Sequence, residues 1–415
     1  MPSRGEAGRR GDLVRSDCWI EVELKDSGGV TLEVQSKVGV LYGDEIESLV
    51  TAGLIQMGVE NATVSVVDQG ALPFALAARL EAAVRRADPA REVPYLLPMS
   101  ERCVYGSDPE RQRRSRLYLP GNEPKFFINA GLHKPDGVIL DLEDSVAPRE
   151  KDAARVMVRN ALRAVDFVGA ERMVRINQGE SGMKDLEWIV PQNVHVILIP
   201  KVEHPRQVDK VQNRIEDIQR ELGLKNTIFL MPIIESAKGA WRALEIAAAA
   251  DTVVALAIGL EDYTADIGAE RTLAGRESFW ARSQVINGAR AAGVQPIDTV
   301  FSDVTDMEGL RASVLEAKSL GFVGKGCIHP RQIAVVHEAF APTEAEIGRA
   351  KRIVLAFEKA DREGLGVVSL GSKMIDPPVV KRALNTVAAA LAAGKLPSDW
   401  REAEEADSGT PEGSL

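Results

Sequence analysis

Residues 114–144 read RSRLYLPGNEPKFFINAGLHKPDGVILDLED. Two short apolar runs, SRLYLP at 115–120 and DGVILDLED at 136–144, stand on either side of a longer connection. The alternation continues downstream with RMVRIN (172–177), VHVILIPKV (194–202), TIFLMPIIES (227–236), TVVALAIGLED (252–262), IDTVF (297–301) and GKGCIHP (324–330), with longer helical stretches between them. Strands that alternate with helices pair in parallel, and eight such units predict an α/β protein built on a closed (β/α)8 TIM barrel. A doubly wound open sheet is the rival. The ends of the runs favour the barrel: Pro120, Asp141 with Glu143, Arg175, Lys201, Glu235, Asp262, Asp298 and His329 are polar or special residues. In a barrel they converge on one mouth, whereas an open sheet would scatter its outer strands.

Upstream, residues 91–113 mix prolines, arginines and polar residues without helical period and read as a linker between two domains. Before it, residues 1–90 form a small α+β unit. WIEVEL (19–24) and VTLEVQS (30–36) are predicted strands with an SGG turn between them. A helix over 45–59, a third strand ATVSVVD (62–68) and the helix FALAARLEAAVRRA (74–87) complete it. Residues 114–340 are the barrel, and residues 401–415, acidic and rich in small side chains, are an expected disordered tail.

The 415 residues carry a net charge of −10 with no long basic run, which excludes a nucleic-acid partner as an expectation. No apolar window is long enough to span a bilayer, and the polar start is unlike a signal peptide, so neither a membrane nor export is expected and the location is cytoplasmic. Cys18, Cys103 and Cys327 are odd in number and far apart, as free thiols are. A P-loop, a GxGxxG turn and a GxSxG elbow are all missing from the sequence, so nucleotide and acyl-enzyme chemistry are disfavoured.

Glu235 and Asp262 leave adjacent predicted strands, and two carboxylates a strand spacing apart suit a hydrated divalent cation such as Mg²⁺. Helix capping is the plainer alternative for either one. Glu261 is expected on the other face by strand alternation. Arg175 ends an apolar strand, where a guanidinium needs an anionic partner: Asp141 or Glu143, a substrate carboxylate, or both. Lys201 is a supporting charge, a Schiff-base role being disfavoured by the acid pair. Arg116 in SRLYLP is counted with Arg175 as substrate-binding. The role of His329 is open.

Taken in order, RSRLYLPGNEPKFF, DGVILDLEDSVAPREKDAAR, VRIN, LIPKVE, IIES, IGLED, GFVGKGCIHPRQI and GSKMIDPPVVKRALNTV resemble the citrate lyase β-subunit family, which includes the citramalyl-CoA and malyl-CoA lyases. The resemblance implies a Mg²⁺-dependent carbon–carbon lyase acting on a small-molecule acyl thioester, trimeric or hexameric. Glu235 and Asp262 would hold the metal and Arg175 the keto acid. Residues 341–400 would be a C-terminal helical lid, from which Asp376 reaches a neighbouring subunit as the acid. GDLVRSD, LYGDEI and DQGALPFALAARLEAAVRRA resemble the citrate lyase γ-subunit, an acyl carrier protein. There a serine bears a phosphoribosyl-dephospho-CoA arm. Here Arg15 falls on that position and Ser16 beside it, which leaves both a modified and a bare domain open. With an arm, citryl thioester cleaved to acetyl thioester and oxaloacetate is expected; without it, free CoA thioesters. A non-catalytic scaffold that recruits an acyl transferase is the alternative of another class.

Overall fold

A computed structural model describes residues 3–362, 368–370 and 373–401. It divides into two compact units, residues 1–336 and 337–415.

The first unit opens with a four-stranded sheet made of β1 (Arg4–Gly8), β2 (Cys18–Leu24), β3 (Val30–Ser36) and β4 (Ala62–Asp68), in the order β1-β2-β4-β3. The SGG segment does not close a hairpin between β2 and β3. Instead β4 lies between them, antiparallel to β2 and parallel to β3, because the helix Gly39–Gln56 carries the chain across the sheet. Buried and half-buried residues alternate along β4, whose Val64 and Val66 join Ile20, Val22, Val50 and Leu80 in a local core. The amino-terminal residues Arg4–Gly8 form β1, which pairs with β2. Ser16 is half-buried with φ +54°, and its N–H donates to the Gln69 carbonyl at 3.0 Å.

The helix Pro73–Ala87 is buried on nearly every face because it packs between this sheet and the barrel helix Lys151–Ala164. Charged pairs seal the seam. Arg79 donates to both carboxylate oxygens of Asp17, at 3.0 and 2.9 Å, and to the carbonyl of Asn122 at 2.8 Å. Arg159 grips Glu81, and Arg86 reaches Asp152. The linker is fastened as well. Tyr95 N–H donates to Glu81, Ser100 N–H to the Arg163 carbonyl, and the Tyr105 hydroxyl to the Ala170 carbonyl. Residues 91–113 are therefore a strap along the barrel rather than a free tether.

The eight expected strands all form: β5 (Ser115–Pro120), β6 (Gly137–Asp141), β7 (Glu171–Arg175), β8 (Val196–Ile199), β9 (Phe229–Ile234), β10 (Ala255–Ile258), β11 (Gln295–Asp298) and β12 (Gly324–Cys327). They close into a parallel barrel in which β12 pairs with β5. Ile139, Met173, Leu198, Met231, Ile233 and Ile297 pack its interior. Closure requires Gly324, since a Cβ there would lie 1.9 Å from the Arg113 carbonyl.

In the second unit the helices Glu344–Arg362 and Pro377–Ala392 pack through Ile347, Ile353, Val354, Val380 and Val387, with Trp400 closing the cluster. A short antiparallel pair, β13 (Val368–Leu370) with β14 (Lys373–Ile375), interrupts the segment expected to be helical. Of the expected tail, residues 401–415, Arg401 is helical and paired with Glu358, and the rest lies outside the described residues.

Candidate active site

The carboxyl ends of the barrel strands surround a cavity of about 470 Å³. Arg175, the last residue of β7, enters it beside Asp141, the last residue of β6, because the parallel register sets these two positions opposite each other. Nε of Arg175 donates to Asp141 Oδ1 at 2.6 Å and Nη2 to Oδ2 at 2.7 Å, while Nη1 lies 3.1 Å from Glu143 Oε2. The Tyr118 ring lies beneath the guanidinium, 5.4 Å from its central carbon. Burial alone would raise the Asp141 carboxyl, but the paired guanidinium holds it below the usual range. Glu143 goes the other way. Burial raises its carboxyl despite Arg175 and a 2.9 Å hydrogen bond from Gln178.

Lys201 follows β8 in a left-handed backbone conformation, φ +50°. Its N–H donates to Glu235 Oε2 at 2.8 Å, and its ammonium lies 3.3 Å from Asp262, 3.5 Å from Asp144 and 3.6 Å from Glu143. Although burial works against the charge, these acids raise the lysine's pKa, so it serves as a fixed cation. Glu235, just past β9, is buried and its carboxyl is pushed up to about 7 by desolvation. Gly259 makes room for it, since a Cβ there would stand 2.5 Å from Glu235 Oε1.

Three expectations change. Asp262 is not on a strand: β10 ends at Ile258, and both Asp262 and Glu261 lie in the first turn of the helix Leu260–Asp266. Strand alternation therefore does not separate them. Glu261 also borders the cavity, but it is paired with Arg271 and accepts from Ser302. His329 is outside the lining, and its Nδ1 accepts the Arg331 N–H at 3.2 Å. Asp298 is taken up by Arg282 and Lys325. Arg116 does reach the cavity. Asp376 belongs to the second unit, where it is exposed and accepts the Val379 N–H at 3.3 Å as a helix cap. Asp144 and Tyr118 also line the cavity, and the sequence does mark Asp144, which ends the same acidic run as Asp141.

Among the described residues no set of three or more His, Cys, Asp and Glu is grouped for a metal. Glu235 and Asp262 nevertheless fit a hydrated Mg²⁺. They border one cavity, and the buried Glu235 carboxylate has a single amide partner, which leaves its other oxygen open to a cation.

Residues 114–330 match the family model described as HpcH/HpaI aldolase/citrate lyase. The chain belongs to this family. It is 40% identical over 277 residues to citrate lyase subunit beta from Leuconostoc mesenteroides subsp. cremoris, covering 66% of this chain and 92% of the relative. It is 33% identical over 297 residues to an L-malyl-CoA/beta-methylmalyl-CoA lyase from Rhodobacter capsulatus, covering 66% and 93%. The crystal structure of protein CitE from Mycobacterium tuberculosis with magnesium, acetoacetate and coenzyme A matches with a TM-score of 0.56 at 31% identity, over 67% of this chain and 98% of that one. Residues 7–87 match an acyl-carrier model described as malonate decarboxylase delta subunit (MdcD). The protein is thus a lyase of this family with a carrier-like domain at its amino-terminal side.

Proposed function

We propose that the barrel cleaves the carbon–carbon bond of a 3-hydroxyacyl thioester, with citryl thioester giving acetyl thioester and oxaloacetate as the leading substrate. The observation that carries the reading is Arg175, clamped by Asp141 and facing the same cavity as Glu235 and Asp262. Arg175 takes the carboxylate beside the hydroxyl carbon, with Asp141 fixing the plane of the fork. A Mg²⁺ held by Glu235 and Asp262 would lower the hydroxyl pKa and stabilise the forming ketone oxygen. Lys201 holds Glu235 through its N–H and balances the acids around it. In the reaction the hydroxyl proton departs, the bond breaks, its electron pair passes to the thioester as an enolate, and a proton is added at carbon. Asp376 of a neighbouring subunit is our choice for that proton, in a homotrimer or hexamer. The magnesium and coenzyme A bound by the M. tuberculosis relative support a metal and a thioester here.

Free malyl- or citramalyl-CoA is the second reading, favoured by Ser16. Its anchored, half-buried setting differs from the loose attachment point expected of a phosphoribosyl-dephospho-CoA arm. If Ser16 does carry the arm, an acyl-CoA transferase partner follows. We place the reaction in the cytoplasm.

The test is magnesium-dependent release of a 2-oxo acid from citryl, citramalyl and malyl thioesters. Asp376→Asn and Glu235→Gln chains should each be inactive and regain activity when mixed, as shared sites require. Release from none of the thioesters rejects the lyase reading, and mixing without recovery rejects the shared site. Intact mass then reports whether Ser16 is modified.

A further inference from the structure

Arg116 presents a charge the fold does not account for. It begins on β5 and crosses the barrel interior to β9 on the opposite side, where Nη1 lies 3.1 Å from the Met231 sulfur. Nη2 finds only the Asp298 carbonyl, at 3.4 Å, and Nε is buried without a partner. The residue is 1% exposed yet forms part of the cavity lining, two positions below Tyr118 on the same face of β5. The Met231 side chain it touches belongs, with Ile233 and Ile297, to the apolar filling expected of a barrel interior.

Four of the five other buried arginines among the described residues, Arg79, Arg113, Arg159 and Arg282, have a carboxylate partner. The fifth, Arg172, leaves its Nε without a partner but holds the carbonyls of Cys103, Leu162 and Gln192 through its terminal nitrogens. Asp298, whose carbonyl Arg116 touches, already commits its carboxylate to Arg282 and Lys325. A buried guanidinium with a thioether and one long carbonyl contact is costly, and an anion entering the cavity would relieve that cost. Arg175 has its own acids and is placed for the carboxylate beside the hydroxyl carbon. Arg116 lies on the floor, and the Tyr118 ring borders the cavity between the two arginines.

We infer that Arg116 recognises a second carboxylate, so that the site selects thioesters whose 2-oxo acid half is dicarboxylic. This rests on the lyase reading above and sharpens it. Citryl thioester leaves oxaloacetate, with a carboxylate at each end; citramalyl leaves pyruvate, with a methyl group where Arg116 would bind; malyl leaves glyoxylate, with hydrogen there. A site built around a charged partner rejects substrates lacking that partner far more strongly than an apolar pocket rejects a methyl group.

The experiment compares the wild type with Arg116→Met, an apolar replacement that matches Met231 and Met173 of the surrounding layer. Three readouts are taken: kcat/KM for citryl against citramalyl thioester, calorimetric binding of oxaloacetate against pyruvate with magnesium present, and the melting midpoint. The expected result is a wild-type preference for the dicarboxylate in both assays. In the variant the citryl-to-citramalyl ratio should fall about 100-fold, with a melting midpoint equal to or above the wild type, since an unpaired buried charge has been removed. A ratio that moves less than about twofold overturns the proposal. So does a lower melting midpoint with equal loss on both substrates, the mark of a structural strut. A wild type that releases no 2-oxo acid from any thioester sinks the lyase reading instead. The binding comparison then decides for Arg116 alone, and an oxaloacetate preference that is absent, or that survives in the variant, counts against it.

Discussion

Asp141 accepts two parallel hydrogen bonds from Arg175, at 2.6 and 2.7 Å, and the register of β6 against β7 sets the pair opposite each other. The fork is oriented before any substrate arrives, which lowers the entropy cost of gripping a carboxylate. Asp141→Asn keeps the size but replaces one acceptor by a donor facing a guanidinium. We expect kcat/KM to fall about 100-fold, about 3 kcal/mol of transition-state stabilisation, with the fold intact by circular dichroism. A loss below threefold would show that the clamp does not matter.

Glu235 and Glu261 both border the cavity, but only Glu235 is buried with a single amide partner, while Glu261 is tied to Arg271. Glu235→Gln should therefore abolish calorimetrically detected magnesium binding and lower 2-oxo acid release at least about 1000-fold, as chelation of the metal should. Glu261→Gln should cost less than about threefold. Equal effects of the two substitutions would contradict the assignment.

His195 is buried beside Tyr105. Its Nδ1 accepts the Arg172 N–H at 3.1 Å, and its Nε2 lies 2.7 Å from the Tyr105 carbonyl. Burial pushes its pKa down to about 4 from an ordinary 6.5. The unfolded chain thus binds a proton that the folded chain refuses. The resulting stability is fully present above about pH 6.5 and is lost as pH falls toward 4, by at most about 3 kcal/mol. Urea midpoints between pH 6.5 and 5 should decline in the wild type and decline less in His195→Gln. Parallel curves would assign the acid sensitivity elsewhere.

The Arg79–Asp17 pair joins the amino-terminal domain to Asn122 of the barrel. Arg79→Met leaves the Asp17 carboxylate buried and unpaired, a change that costs about 3–5 kcal/mol. Limited proteolysis should then cut within residues 88–112 far sooner than in the wild type. Unchanged resistance would show that the seam is held by its apolar contacts alone.

The barrel was legible because each strand is a short apolar run with a polar end, and parallel register brings those ends together without further information. Arg175, Asp141 and Glu235 follow directly. What the sequence did not reveal depends on contacts between distant segments. Residues 91–113 carry no periodic signal, yet Tyr105 and Arg113 find partners on the barrel and hold them in place. The insertion of β4 between β2 and β3 is a choice of topology that alternation cannot encode. The apolar run that continues past Ile258 makes Asp262 read as a strand end, although the backbone already turns into a helix at Leu260. Arg116 looked like one more residue of a strand, and its isolation follows only from which face points inward.

The strap ties opposite ends of the barrel to a single neighbour. The amino-terminal domain touches the rim at Asn122, while the segment leaving it seats Tyr105 and Arg113 at the entry to β7, on the far end of the strands. A polypeptide begun at residue 114 would lose the partner of the buried Glu171 carboxylate and the edge-on aromatic contact to His195. Dividing the chain at this junction would therefore leave the Glu171 carboxylate unpaired at the base of the barrel.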